Sequence, residues 1–309
     1  MYIVAGSRDN RVYLFQRSSP TPLWSYTTGG QVEYVSISSD GQYIVAGSGD
    51  ARVYLFHRSS STPDWSYYTG SWVRRVAISS NGYWIVAGCL NGKIYLFHRS
   101  SSTPDWSYTT GGAIWSVKIS SNGYIVAGGD DKKVYLFQYG SSTPLWSYTT
   151  GNRITSVAIS NDGQYLAAGG DNSKVYLFQR SSSNPLWFYN DRIYEVAISN
   201  DGQYIVAGSY DAKVYLFHCS SSTPLWSYTT GNRVWGVAIS NDGQYIIVGN
   251  DDAKVYFFDL SDTDYDELSD YYELLITSTN PSDDDTDDDG LSDGSEVITY
   301  GTNPNLADT

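Results

Sequence analysis

Short apolar stretches alternate with tight polar punctuation along most of the chain, and the alternation keeps a nearly fixed period. Seven times the sequence reads VYLF or a near copy, with tyrosines at Tyr13, Tyr54, Tyr95, Tyr135, Tyr176, Tyr215 and Tyr256, spaced 41, 41, 40, 41, 39 and 41 residues apart. A representative unit is VAISNDGQYIVAGSYDAKVYLFHCSSSTPLWSYTTGNR. It holds four short runs rich in Val, Ile, Tyr and Trp, bounded by Gly, Asp, Ser and Pro, which is the pattern of strands joined by turns. The run YIVAG is apolar at consecutive positions and predicts a strand buried on both faces. Four antiparallel strands per unit, repeated in this way, predict an all-β fold, a seven-bladed β-propeller. One blade cannot cover its own apolar faces, whereas a ring of blades can.

With the strands labelled a (VAIS), b (YIVAG), c (VYLF) and d (PLWSY), the chain carries six a, seven b, seven c and six d strands. The first blade lacks its a strand and the last its d strand, so the terminal blades are incomplete. A chain that opens in mid-repeat and ends on the same kind of cut reads as a fragment of something longer. A neighbouring copy donating a strand to the open edge would give self-association.

Two stretches carry a resemblance. VAISNDGQYIIVGNDDAKVYFFD is similar to the first three strands of a WD-repeat blade, and VYLFQYGSSTPLWSYTTGNRITSVAIS resembles the tryptophan-docking blades of pyrroloquinoline-quinone-type propellers. The likeness covers residues 1–259 and implies docking tryptophans at Trp24, Trp65, Trp106, Trp146, Trp187 and Trp226. It implies an architecture rather than an activity, because propellers host many functions.

Charge divides the chain in two. The net charge is −14, yet 16 of the 33 acidic residues lie from Asp259 onward, where there is no Lys or Arg; residues 1–258 carry the other 17 against all 19 bases. A near-neutral body offers nucleic acid no electrostatic footprint, and an anionic tail repels phosphate. No apolar run reaches the length of a membrane span, and no signal peptide is visible at the start. Cys89 and Cys219 fall in different repeats and read as free thiols. His57, His98 and His218 share one repeat position on separate blades and form no joint metal site. The basic residue ahead of each c strand reads as a local partner of the Asp or Asn two positions earlier.

The tail has its own period. In DTDDDGLSDGSEV, Asp285, Asp287 and Asp289 occupy positions 1, 3 and 5 of a calcium loop, Gly290 position 6, Leu291 position 7 through its carbonyl, Asp293 position 9 and Glu296 position 12. A hard cation takes six to eight oxygens, which alternate carboxylates of a tight loop supply. Twenty-three residues earlier, Asp262, Asp264, Asp266, Leu268, Asp270 and Glu273 fill the same slots, with Glu267 in place of the glycine. This unit resembles the thrombospondin type 3-like calcium-binding repeats of secreted bacterial and archaeal surface proteins. Residues 260–309 would then be two such repeats and a third cut short, with calcium as the cofactor.

Between d and a the repeats diverge most: QVEYV, WVRRV, AIWSV, RITSV, RIYEV and RVWGV. In WD-type propellers these positions lie at the channel mouth, which would bring Glu33, Tyr34, Trp72, Arg74, Arg75, Trp115, Tyr194, Glu195 and Trp235 onto one face. Aromatic and Arg side chains suit a protein or glycan partner. The expected function is a non-enzymatic, extracellular or cell-surface propeller for display or recognition, carried on a calcium-stabilised stalk. The alternatives are a quinone-dependent dehydrogenase-like enzyme, whose vicinal disulfide and acidic base have no counterpart here, and an intracellular WD-type scaffold.

Overall fold

The computed structural model describes residues 1–171, 173–261, 266, 268, 273 and 277–307. Seven antiparallel sheets follow one another along the chain, each built from strands consecutive in sequence. Five contain a, b, c and d in that order. The first contains only b, c and d (Tyr2–Gly6, Arg11–Gln16, Trp24–Thr27), and the seventh only a, b and c (Val234–Ile239, Tyr245–Asn250, Val255–Asp259). This is the all-β, seven-bladed architecture with incomplete terminal blades that the repeat predicts.

The core lies between blades. On strands b and c of the second blade, Ile44, Val45, Ala46, Val53, Leu55 and Phe56 are all 0% exposed, because one face of the sheet meets the blade before and the other the blade after. Val45, Val53 and Leu55 pack with Val73, Val76, Ile85 and Phe97 of the third blade. The glycine of YIVAG sets the approach distance. A Cβ at Gly88 would lie 2.4 Å from Ile114 of the next blade, so only glycine lets the sheets close to contact.

The expected docking tryptophans bolt neighbouring blades together. The indole N–H groups of Trp24, Trp65, Trp106, Trp146 and Trp187 donate to the carbonyls of Arg58, Arg99, Tyr139, Arg180 and Cys219 on the next blade, each at 2.8 Å. All six rings lie 5.3–5.5 Å from the Phe that ends VYLF in that blade.

The b–c turns are fixed differently from the expected ion pairing. Asp50 accepts the backbone N–H of Arg52 at 3.0 Å and the Tyr54 hydroxyl at 2.6 Å, and Asp131, Asp211 and Asp252 repeat the arrangement. The basic residue contributes its main chain. Its ammonium comes within ion-pair distance only in Lys213–Asp211 (3.7 Å) and Lys254–Asp252 (4.0 Å), among the described residues. Burial, followed by the hydrogen bond to the aspartate, pushes the Tyr54 hydroxyl pKa up.

Candidate functional site

Every a strand carries a β-bulge at its second residue, where the register against strand b slips between the first and third positions. The bulged residues are Glu33, Arg74, Trp115, Thr155, Tyr194 and Trp235. A bulge leaves one residue outside the ladder and re-aims its side chain. The most variable positions of the repeat therefore coincide with its irregular backbone, at the end of each a strand fed by the d–a loop.

These side chains meet across blades. Glu33 pairs with Arg74 at 2.5 Å, and Arg75 pairs with Glu195, 120 positions away, at 3.2 Å. The Arg75 guanidinium lies 4.3 Å from the Tyr34 ring centroid, and Lys118 donates to the Tyr34 hydroxyl at 3.4 Å. Tyr34, Lys118, Glu195, Ala158 and Val237 line one central cavity of about 270 Å³. The positive charge of Lys118, with that of Arg75, outweighs burial and lowers the Tyr34 hydroxyl pKa.

Arginines also cover an aromatic ring that sequence reasoning offered as a platform. Arg74 and Arg153 both lie over Trp115, at 5.0 and 5.1 Å, while the Trp115 N–H donates to Asp130 at 2.7 Å. Arg153 is itself held by Asp171, which also takes Arg192 at 2.8 Å. Burial opposes the charge on Asp171, but hydrogen bonds from Arg192 and Arg153 prevail and keep its carboxyl below the usual range. Arg192 stands 3.6 Å over Tyr210, Tyr210 stacks on Tyr194 at 3.8 Å, and Tyr194 meets Trp235 at 4.0 Å. Burial, followed by the hydrogen bond with Tyr210, raises the Tyr194 pKa to about 12. Trp235 also donates to Asp251 and is 46% exposed; Trp72, 37% exposed, lies over Gly49.

Thus the structure brings Glu33, Tyr34, Arg74, Arg75, Trp115 and Glu195 into one connected set, and Tyr194 with Trp235 into a second. Lys118, Arg153, Asp171, Arg192 and Tyr210 join these sets, and sequence reasoning did not single them out. Arg153 and Arg192 each stand one residue ahead of an a strand, in the variable segment, which was the available signal. Asp171 and Tyr210 belong to b–c turns and gave none.

In the tail, Asp285, Asp287 and Asp289 offer carboxylate oxygens within 4.8 Å of one another. Gly290 sits at φ +96°, the left-handed region that favours glycine, and its N–H donates to Asp285 at 2.8 Å. Asp293 turns away to accept the Thr286 N–H (2.9 Å) and hydroxyl (2.6 Å), and it gathers instead with Asp266 and Glu273, again within 4.8 Å. That second trio joins the loop at 285–296 to the segment before it. Asp266 takes the Gly294 N–H at 2.7 Å, and a Cβ on Gly294 would strike the Asp266 carbonyl, so the loops press directly together there. Glu296 is buried in a short helix (Ser295–Tyr300) and accepts the Thr302 hydroxyl at 3.0 Å; Glu273 and Thr279 repeat this at 3.3 Å. Leu268 N–H to Asp266 and Leu291 N–H to Asp289, at 2.8 and 3.0 Å, are likewise equivalent. Asp262, Asp264 and Asp270 lie outside the described residues.

These donors fit a hard divalent cation. All are oxygens, and Asp287 has a buried Oδ2 without a hydrogen-bond partner among the described residues. Burial and then the charges of Asp289, Asp285 and Asp293 raise the Asp287 pKa, as a positive ion at that point would reverse. The other chemistry-bearing groups are apart. His57, His98 and His218 each meet a serine hydroxyl two residues on at 2.7 Å, and both cysteines are free, with burial raising the Cys89 thiol to about 12. Among the described residues no helix is long and apolar enough to cross a membrane.

Comparison with known proteins agrees with this layout. Residues 285–307 match the bacterial TSP3 repeat. No curated protein matches the chain significantly. Six segments match the WD domain, G-beta repeat: residues 21–57, 64–98, 104–138, 142–179, 184–218 and 222–259. Those segments cover more than half of the sequence, and the chain belongs to the WD-repeat family.

Proposed function

We propose that this chain is a non-enzymatic recognition propeller that works outside the cell or on its surface, binds a protein at the bulged mouth, and carries a calcium-ordered C-terminal segment. WD-repeat propellers are protein-interaction domains, which gives the general class. The observation that carries the reading is the mouth itself. Four of the six bulges present an Arg or aromatic side chain (Arg74, Trp115, Tyr194 and Trp235), and Trp235, with Trp72 of the adjoining d–a loop, is left exposed. Such residues dominate binding energy at protein interfaces. A glycan is the weaker candidate, because the Trp115 ring already lies beneath Arg74 and Arg153.

Calcium would be held by Asp285, Asp287 and Asp289, and by the Asp266, Glu273 and Asp293 trio that ties one repeat to the next. It supplies the positive charge that lets these carboxylates stay ionised side by side. Extracellular modules with calcium loops bind the ion weakly and fill where it is plentiful, and the extracellular assignment rests on that setting. The test of the mouth is a Trp72→Ala, Trp235→Ala variant. A partner isolated on the immobilised chain should be lost by the variant, which should stay folded by circular dichroism. Undiminished capture would move the site to another face.

A further inference from the structure

One position facing the central cavity breaks the repeat. The fifth residue of strand a is Ala77, Ala158, Ala197 or Ala238 in four blades and Ser36 in the second, but Lys118 in the fourth. Ala158, Ala197, Ala238 and the isoleucines that follow them line the same cavity of about 270 Å³ as Lys118, Tyr34 and Glu195. Lys118 stands three residues along its strand from the bulged Trp115, which places it roughly 10 Å inward of the mouth at the usual strand rise. One blade therefore sets an ammonium among walls that are otherwise mostly alanine, valine and isoleucine.

The neighbouring charges are already matched. Glu195 holds Arg75 at 3.2 Å, Arg75 also donates from Nε to the Trp115 carbonyl at 3.2 Å, and Glu33 holds Arg74. Among the described residues Lys118 has no carboxylate at ion-pair distance. Its polar contact is the Tyr34 hydroxyl at 3.4 Å, and its ammonium lies 5.7 Å from the centre of that ring. A phenol leaves the charge uncompensated, and a half-buried cation in apolar walls gains from a counter-ion. The lowered Tyr34 hydroxyl pKa has the same origin, because Lys118 first and Arg75 with it outweigh burial and the charge of Glu195.

The complement of this arrangement is one negative charge on a short apolar chain. The ammonium and the Tyr34 hydroxyl supply donors for a single carboxylate, and the alanine and isoleucine walls take the hydrocarbon. A phosphate or sulfate dianion fits less well, since it has more oxygens than these donors satisfy and Glu195 faces the same cavity. We propose that the central channel holds a binding site for a small monocarboxylate, with Lys118 as its counter-ion and Tyr34 as the second donor. The site lies beneath the mouth and does not rest on a protein bound there.

The probe is butyrate, titrated into the intact chain by calorimetry at constant ionic strength. Binding should saturate at one butyrate per chain and raise the melting temperature. Lys118→Ala introduces the residue that four other blades carry at this position, so the chain should stay folded by circular dichroism. Its affinity for butyrate should fall by roughly tenfold or more, the value of a charge-assisted hydrogen bond. Tyr34→Phe keeps the ring and should weaken binding by a smaller factor. Butyramide has the shape without the charge and should not bind. No saturable binding of butyrate by the folded chain, equal binding by Lys118→Ala, or equal binding of butyramide overturns the proposal. Inorganic phosphate that competes with butyrate and binds more tightly would also overturn it, and would make Lys118 a general anion contact. A capped peptide with a single glutamate that outcompetes butyrate would overturn the free acid and assign the carboxylate to a protein partner. Butyrate binding and partner capture at the mouth are read separately, so either can fail alone.

Discussion

At Asp287 the repeat's spacing and the local physics point the same way. Its Oδ2 is buried without a hydrogen-bond partner among the described residues, and its neighbours Asp285 and Asp289 are of the same sign. A carboxylate in that position is tolerable when a cation shares it. Asp287→Asn keeps the shape and removes one charge, and calcium affinity measured by calorimetry should fall by roughly tenfold or more. Unchanged affinity would take this trio out of the calcium site. The grouping of Asp285, Asp287 and Asp289 was legible because alternate carboxylates before a glycine are a local pattern. The place of Asp293 was not. Position 9 of a loop says nothing of Thr286, which holds its carboxylate, or of Asp266 and Glu273, which the fold brings to it from the preceding segment.

Among the elements, the blades were legible almost strand by strand, because every unit repeats the same turn chemistry and the same doubly apolar b strand. The bulges were not, since the pattern of apolar positions survives the insertion of one unpaired residue. They appeared in the sequence only as variability at Glu33, Arg74, Trp115, Tyr194 and Trp235. The d strand explains how the blades are held in register. Trp65 contributes two separable interactions, its N–H to the Arg99 carbonyl at 2.8 Å and its ring against Phe97 at 5.3 Å. Trp65→Phe keeps most of the packing and should lower stability by about 1 kcal/mol, the net value of one hydrogen bond. Trp65→Ala removes both and should cost about 3 kcal/mol. Urea unfolding followed by circular dichroism separates the two. Equal losses would show that the hydrogen bond, and not the ring, joins the blades.

For the whole molecule, the division of charge becomes a division of stability. The propeller body has 17 acids against 19 bases and a core between each blade and the next along the chain, so no excess of like charge opposes its folding. The segment beyond Asp259 has no Lys or Arg, and its described core is a meeting of carboxylates: Asp266, Glu273, Asp293 and Glu296 are all 5% exposed or less. Closing so many like charges together opposes folding until a divalent cation neutralises them, so binding energy there is folding energy. Asp293 comes from the loop at 285–296 and Asp266 and Glu273 from the segment before it, so an ion on that trio would join the two as well as fill a loop. Limited proteolysis should therefore cut within residues 260–309 quickly in chelator and slowly in calcium, while residues 1–259 resist in both. A Glu273→Gln, Asp293→Asn variant should lose the protection across both repeats, although the Asp285, Asp287 and Asp289 loop is intact. Protection that persists around residues 285–300 in that variant would mean that the two repeats bind calcium separately. Digestion identical with and without calcium would leave the acidic segment a solvating tail, and the extracellular assignment would lose its main support.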